Sequence, residues 1–236
     1  MKRAIRQRCG FGCVICGYPL YEYDHVTGWA NVLVHNETEI TLLCPTHHSE
    51  ATRGLLPREI IERANNDPHN LKAGFSKNYF LNYAGGNLVT DIGGNFFHTQ
   101  IALMIDGQPI VGYQSDGENL LLYVKLFDEG NNLLLSIEAN ELVYSVDPWD
   151  IELVGTQLTL RAGRGRFILR LNFQVPNKLR IDRGILQYNG RSIQINDDEM
   201  LVDNNALTMQ GCEFICPIGI MIGCNPSVGG CGIHVV

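Results

Sequence analysis

The residues best suited to chemistry are soft metal ligands grouped near the start of the chain. Cys13 and Cys16 enclose two residues. After 27 further residues comes Cys44, with His47 and His48 three and four positions beyond it. Two ligand pairs at this spacing match a tetrahedral zinc site of structural type. In a Cys-x-x-Cys knuckle both sulfurs can turn onto one ion, and residues three or four apart on a helix share a face. Spacing alone leaves open which of His47 and His48 completes the set with Cys13, Cys16 and Cys44. Gly10, Gly12 and Gly17 flank the knuckle and permit its tight turns. A segment of roughly 45 residues cannot bury enough surface to fold alone, so a structural metal would supply the missing free energy.

The elements that must position these ligands are short. Residues 32–35 and 40–43 read as brief strands. Pro45 suits the first turn of a helix, where its missing N–H has no partner to lose, and Gly54 suits the stop. A second helix reads from 57 to 65, with Ile60, Ile61 and Ala64 on one stripe. Residues 66–77 are polar, contain Pro68 and Gly74, and read as a linker. The expected division is therefore 1–65, a linker over 66–77, and 78–236. The last region is strand-like throughout. Phe167, Leu169, Leu171, Phe173 and Val175 alternate with polar residues, and Leu133, Leu135 and Ile137 share one side. Turn signals recur at Asp106-Gly107, Asp116-Gly117, 129–132 and Asn189-Gly190. These features predict a mostly antiparallel all-β sandwich or barrel, making the whole chain α+β.

Composition narrows the function classes. The chain has 236 residues, of which 45% are hydrophobic and 18% charged, which excludes wholesale disorder. The net charge of −7 excludes a strongly basic nucleic-acid coat protein. The charge is uneven: residues 1–77 carry net +1 and residues 78–236 carry net −8. No stretch reaches the ~18 uncharged apolar residues of a membrane helix. Residues 1–16 lack the apolar run of a signal peptide, which predicts a cytoplasmic protein with reduced thiols and no membrane partner. The four late cysteines, Cys212, Cys216, Cys224 and Cys231, form no Cys-x-x-Cys pair and read as packing residues in a glycine-rich tail.

Between the two ligand pairs stands Tyr23-Asp24-His25, and His48 directly follows the second pair. Over about residues 8–54 this order resembles the HNH endonucleases in their zinc-stapled form, which read Cys-x-x-Cys, Asp-His, Asn, Cys-x-x-Cys-His. The resemblance implies a ββα-metal, treble-clef fold, with Asp24-His25 on the hairpin and His48 on the helix. It implies that Cys13, Cys16, Cys44 and His47 hold structural zinc. It implies that Asp24 and His48 hold a catalytic divalent cation, Mg or Mn, and that His25 is the general base in hydrolysis of double-stranded DNA. A neutral imidazole, with a pKa of about 6.5, suits proton removal from water at neutral pH. A hard cation suits charge developing on a leaving oxygen. One position departs from the family: Glu39 stands in the place of the central Asn, with Asn31 and Asn36 nearby but out of register. Glu39 is a hard oxygen donor and could serve as a substitute ligand.

Around this motif, Arg3, Arg6, Arg8 and Arg53 are candidates for phosphate contacts, the alternative being an ordinary solvated basic surface; Lys2 and Arg58 share the ambiguity. Cys9 reads as a partly buried free thiol, His35 as structural, and Trp29 as packing on the zinc core. The β domain would serve targeting, a protein partner or self-association. The rival reading of the first region is a non-catalytic zinc-binding module for nucleic acid or protein.

Overall fold

The computed structural model describes residues 1–27, 36–223 and 230–236. The expectations for Trp29, Asn31, His35, Cys224 and the strand at 32–35 fall outside the described residues. The chain forms two compact units. The first joins Met1–Tyr79 to Val143–Leu153, and the second comprises Phe80–Leu142 and Val154–Val236.

The first unit begins with helix α1 (Lys2–Arg8). Its Ile5 is buried, and Cys9 just beyond the helix, one turn on, is buried beside it. Strand β1 (Glu22–His25) pairs antiparallel with β2 (Ile40–Leu43), placing Asp24 opposite Thr41 and His25 opposite Ile40. Helix α2 (Pro45–Thr52) follows at once. Pro45 disfavours helical geometry in the residue before it, so Cys44 stays extended at φ −67°, ψ 162° and leads into the first turn. Gly54 closes the helix in the left-handed region at φ +74°.

Helix α3 (Arg58–Asn66) buries Ile61 completely, whereas Ile60 is 38% exposed. The expected stripe of three is therefore two, Ile61 and Ala64. Neighbours on a helix project about 100° apart and cannot both face a narrow core. Ile5, Cys9, Val14, Leu42, Leu43, Ala51 and Ile61 form that core around the cysteines.

Residues 66–77, expected to be a linker, contain helix α4 (His69–Ala73). Its Asn70 is fully buried and donates from Nδ2 to the carbonyls of Gly10 (2.9 Å) and Gly17 (3.2 Å). Gly17 has φ +76°, and a Cβ there would lie 2.1 Å from the Asn70 side-chain oxygen. A glycine is required at that place both by the backbone and by the asparagine above it.

The excursion Val143–Leu153 was invisible in the sequence. Tyr144 is buried and donates its hydroxyl to the Phe11 carbonyl at 2.7 Å. Asp150 and Glu152 receive Arg6. The guanidinium of this buried residue spans both Asp150 oxygens at 2.9 and 2.7 Å, Glu152 at 2.9 Å and the Tyr23 hydroxyl at 3.3 Å.

The second unit has no helix among its described residues and contains two sheets. One runs through the antiparallel strands Ile101–Ile105, Gln108–Asp116, Asn119–Phe127 and Leu133–Glu138. The parallel strands Ile218–Ile222 and Cys231–Val235 extend it. The other is a meander from Gln157–Gly163 through Arg166–Gln174, Lys178–Tyr188, Arg191–Asn196 and Glu199–Val202 to Leu207–Met209. The structure is thus α+β with mostly antiparallel sheets, the parallel pairs being the exception.

The expected turns occur where foreseen. Asp106-Gly107 and Asn189-Gly190 both have positive φ at the two central residues of their hairpins, as right-handed strand twist favours. In the strand Arg166–Gln174, Leu169, Leu171 and Phe173 are buried, but Val175 lies past its end and is 49% exposed. In the tail, a Cβ at Gly219 would meet the Phe97 ring at 2.4 Å, and Phe97 stacks on Phe214 at 4.6 Å. That close approach accounts for a glycine in the middle of a buried strand. Among the described residues no helix is long and apolar enough to cross a membrane.

Candidate metal centre and the adjoining Asp-His strand

Cys13, Cys16, Cys44 and His47 present ligand atoms that all lie within 4.8 Å of one another. Both Cys13 Sγ and Cys44 Sγ stand 3.3 Å from His47 Nδ1, and Cys16 Sγ stands 3.8 Å from Cys44 Sγ. Zn–S bonds of about 2.3 Å directed to the corners of a tetrahedron place sulfurs about 3.8 Å apart and sulfur and nitrogen about 3.5 Å apart. The cluster therefore has the donor set and the dimensions of a structural zinc site. The Nδ1 atom of His47, not of His48, completes it.

The local chain explains the convergence. The Cys13–Gly17 turn closes through the Gly17 N–H to the Cys13 carbonyl at 2.7 Å, and the Val14 N–H docks it on the Leu42 carbonyl at 3.0 Å. Cys44, as the N-cap of α2, then lies one turn below His47. The thiols perturb one another. A hydrogen bond from Cys13 holds the Cys16 thiol down to about 5, with the same bond and burial pushing Cys13 up. Burial also pushes Cys44 up. Three crowded sulfurs cannot all ionise without a cation among them, which is what a bound metal provides.

His48 faces elsewhere. Its Nδ1 stands 3.1 Å from Glu22 Oε2 on β1. Side chains of a strand alternate, so Glu22 and Asp24, two positions apart, share one face of β1. Asp24 is largely covered. Arg58 of α3 donates at 2.8 Å to Asp24 Oδ2 and at 2.8 Å to the His25 carbonyl, and Asp24 Oδ1 accepts the His25 N–H at 2.9 Å. Glu22 and Arg58 are the two residues the motif reading missed or left ambiguous. The signal for Glu22 was its place two residues before Asp24. For Arg58 nothing short of the fold brings α3 to the end of β1.

Several expected site residues are not gathered. Asp24, His48 and Glu39 do not form a single donor set: among the described residues the only such group is the Cys/His cluster. Arg58 occupies Asp24, Glu22 occupies His48, and Glu39 continues the hairpin by accepting the Val26 N–H at 2.9 Å on its carbonyl. Asn36 is used by the turn before β2, its side-chain oxygen accepting the N–H groups of Thr38 (2.9 Å) and Glu39 (3.1 Å).

The four arginines expected to contact phosphate differ in their surroundings. Arg6 is an internal ion-pair residue and not a phosphate contact. Burial alone would lower its pKa, but its bonds to Asp150 and Tyr23 and the two carboxylate charges raise it. Arg8 donates to the Ile40 carbonyl, to the Glu37 carbonyl at 3.0 Å and to Asn65 Oδ1 at 2.7 Å, so it too ties the unit together. Arg3 lies over the Trp149 ring at 4.3 Å and bonds Gln7 at 2.8 Å. Arg53 is exposed at the end of α2. Cys9 is fully buried and outside the cluster, its Sγ 3.9 Å from Thr41 Oγ1, and burial raises its thiol pKa. Cys212, Cys216 and Cys231 form no metal-ligand group among the described residues.

Comparison with family models, with curated proteins and with solved structures returns no match.

Proposed function

We propose that the first unit is a zinc-stapled, HNH-type ββα module that hydrolyses phosphodiester bonds of double-stranded DNA. The observation that carries this reading is the divergence of two adjacent histidines. His47 turns into the Cys/His cluster, and His48 turns to the carboxylate face of β1. One helix thereby serves a closed structural site and a separate polar face. A Cys-x-x-His stabilising site alone gives no reason for that second histidine to meet Glu22 and lie near the Asp24 face.

In this reading zinc on Cys13, Cys16, Cys44 and His47 holds α2 against the β1–β2 hairpin. His25 is the general base, taking the proton from the attacking water. Its backbone is held at both ends, through its N–H by Asp24 and through its carbonyl by Arg58. Glu22 fixes the orientation of His48 through Nδ1, which leaves Nε2 as the nitrogen for an incoming ligand. Asp24 has used two of the roughly four acceptor positions of a carboxylate. Asp24 and His48 are donor types suited to Mg or Mn, which when bound would neutralise charge on the reacting phosphate, although with Glu22 they do not form one cluster in this structure. Glu39 is assigned no ligand role here.

The test is nicking of supercoiled plasmid with Mg²⁺ or Mn²⁺. His25→Ala should lower the rate by about 10²–10⁴-fold while leaving zinc content unchanged. Equal rates in the two proteins sink the mechanism.

A second reading has its own support. The ion pair that occupies Asp24 favours a non-catalytic zinc module that binds nucleic acid or protein. It expects DNA binding without cleavage in any divalent metal.

A further inference from the structure

The second unit is acidic as a whole, yet its cations are concentrated. Seven of the nine Lys and Arg residues beyond position 77 fall between 161 and 183, a stretch with a single acid, Asp182. Three successive antiparallel strands, with the turn between the first two, carry them: Gln157–Gly163, Arg166–Gln174 and Lys178–Tyr188. Pairing sets Arg161 opposite Phe167 and Arg170 opposite Arg183. The guanidinium carbons of Arg161, Arg170 and Arg183 lie 5.6, 5.5 and 5.4 Å from the centre of the Phe167 ring. Arg164, in the two-residue turn joining the first two strands, and Arg166, which opens the second, stand exposed. Arg166 lies over Gly163, where a Cβ would come within 3.0 Å of its guanidinium, and donates to the Ala162 carbonyl at 3.2 Å.

Like charges directly opposite on neighbouring strands repel. Asp182 and Asp197 offset part of the repulsion, bonding Arg170 at 2.5 and 3.1 Å, and Asp197 also meets Arg183. The positive surface spreads along a sheet face instead of lining a closed cavity, so it suits a polymer of charge more than a single small anion. The cations around the ring are all arginine, whose planar fork matches phosphate oxygens and stacks on aromatics.

We propose that the face formed by Arg161, Arg164, Arg166, Arg170 and Arg183 around Phe167 docks the phosphate backbone of duplex DNA. The choice of DNA among polyanions rests on the nuclease reading of the first unit; the surface itself does not. Docking there would hold the duplex on the same chain as the ββα module, with phosphate oxygens offsetting the positive charge that Asp182 and Asp197 leave.

The experiment measures fluorescence anisotropy of a labelled 20-base-pair duplex with the full chain between 50 and 200 mM salt, about the range in which backbone contacts are lost. The variants are Arg164→Glu and the double Arg164→Glu/Arg166→Glu, both at exposed positions in or beside the turn. The double variant should raise Kd about 10–100-fold at 100 mM salt and reduce the slope of log K against log salt by about 2. Unchanged zinc content and melting temperature establish that it is folded. An unchanged slope in the folded double variant overturns the proposal, as does tight binding of poly-glutamate with no binding of DNA. Wild-type protein that binds through this face and cuts no DNA fails the nuclease reading alone. Protein that nicks DNA with an unaltered slope in the variant fails the docking proposal alone.

Discussion

Replacing Arg6 offers the sharpest separation between what its position in the sequence suggests and what its surroundings dictate. The side chain of Arg6 is 6% exposed and that of Asp150 4%. Arg6→Met removes two charge-assisted hydrogen bonds to Asp150 and one to Glu152, and leaves the Asp150 carboxylate buried without its guanidinium. Breaking such a pair from one side costs about 3–5 kcal/mol, because the remaining charge has lost the water it would need. The Glu152 contact adds less, since its side chain is 30% exposed and can hydrate. A unit of this size shifts its melting point by about 4–8 °C per kcal/mol, so the midpoint should fall by at least about 12 °C.

Arg6→Lys should recover little, because one ammonium cannot span two carboxylates and the Tyr23 hydroxyl. The double variant Arg6→Met/Asp150→Leu should recover much of the loss, since removing both buried charges also removes the desolvation cost. Thermal unfolding followed by circular dichroism at 150 mM salt measures all four proteins. A fall of only a few degrees in Arg6→Met refutes the reasoning. So does a loss of DNA affinity at unchanged melting temperature, which would return Arg6 to the phosphate-contact role.

Three further outcomes are expected. The chain should bind about one zinc by metal analysis; His47→Ala should lose it and unfold the first unit, whereas His48→Ala should retain the metal and the fold, and equal zinc loss in both would refute the assignment of the two histidines. Burial raises the pKa of Cys9 above the ordinary value of 9.0, so the neutral thiol is the native form. Stability from this group is fully present below that value and lost as pH climbs through the raised one, so the melting point should fall above about pH 9. Cys9 should resist iodoacetamide until the unit unfolds, and prompt labelling at pH 7.5 would contradict its burial.

The sequence by itself determined the parts that depend on neighbours along the chain. Two ligand pairs with short internal spacing name a tetrahedral site, because each pair converges within one turn whatever the rest of the protein does. Pro45 and Gly54 bound a helix through their own φ preferences. Asp106-Gly107 and Asn189-Gly190 make hairpins for the same reason, and alternation marks the buried face of Arg166–Gln174.

Tertiary structure decided everything that joins distant segments. Arg6 and Asp150 are separated by 144 positions, and no local pattern distinguishes an arginine destined for a buried carboxylate from one destined for solvent. Asn70 looked like part of a polar linker until the Cys13–Gly17 turn closed beneath it. The choice between His47 and His48 was degenerate in spacing, both being within one turn of Cys44. It was settled by which side of α2 meets the cysteines and which meets Glu22. Short-range dihedral and spacing preferences are written in the chain. The partner of a charged or polar side chain is chosen by burial, and burial exists only once the segments have come together.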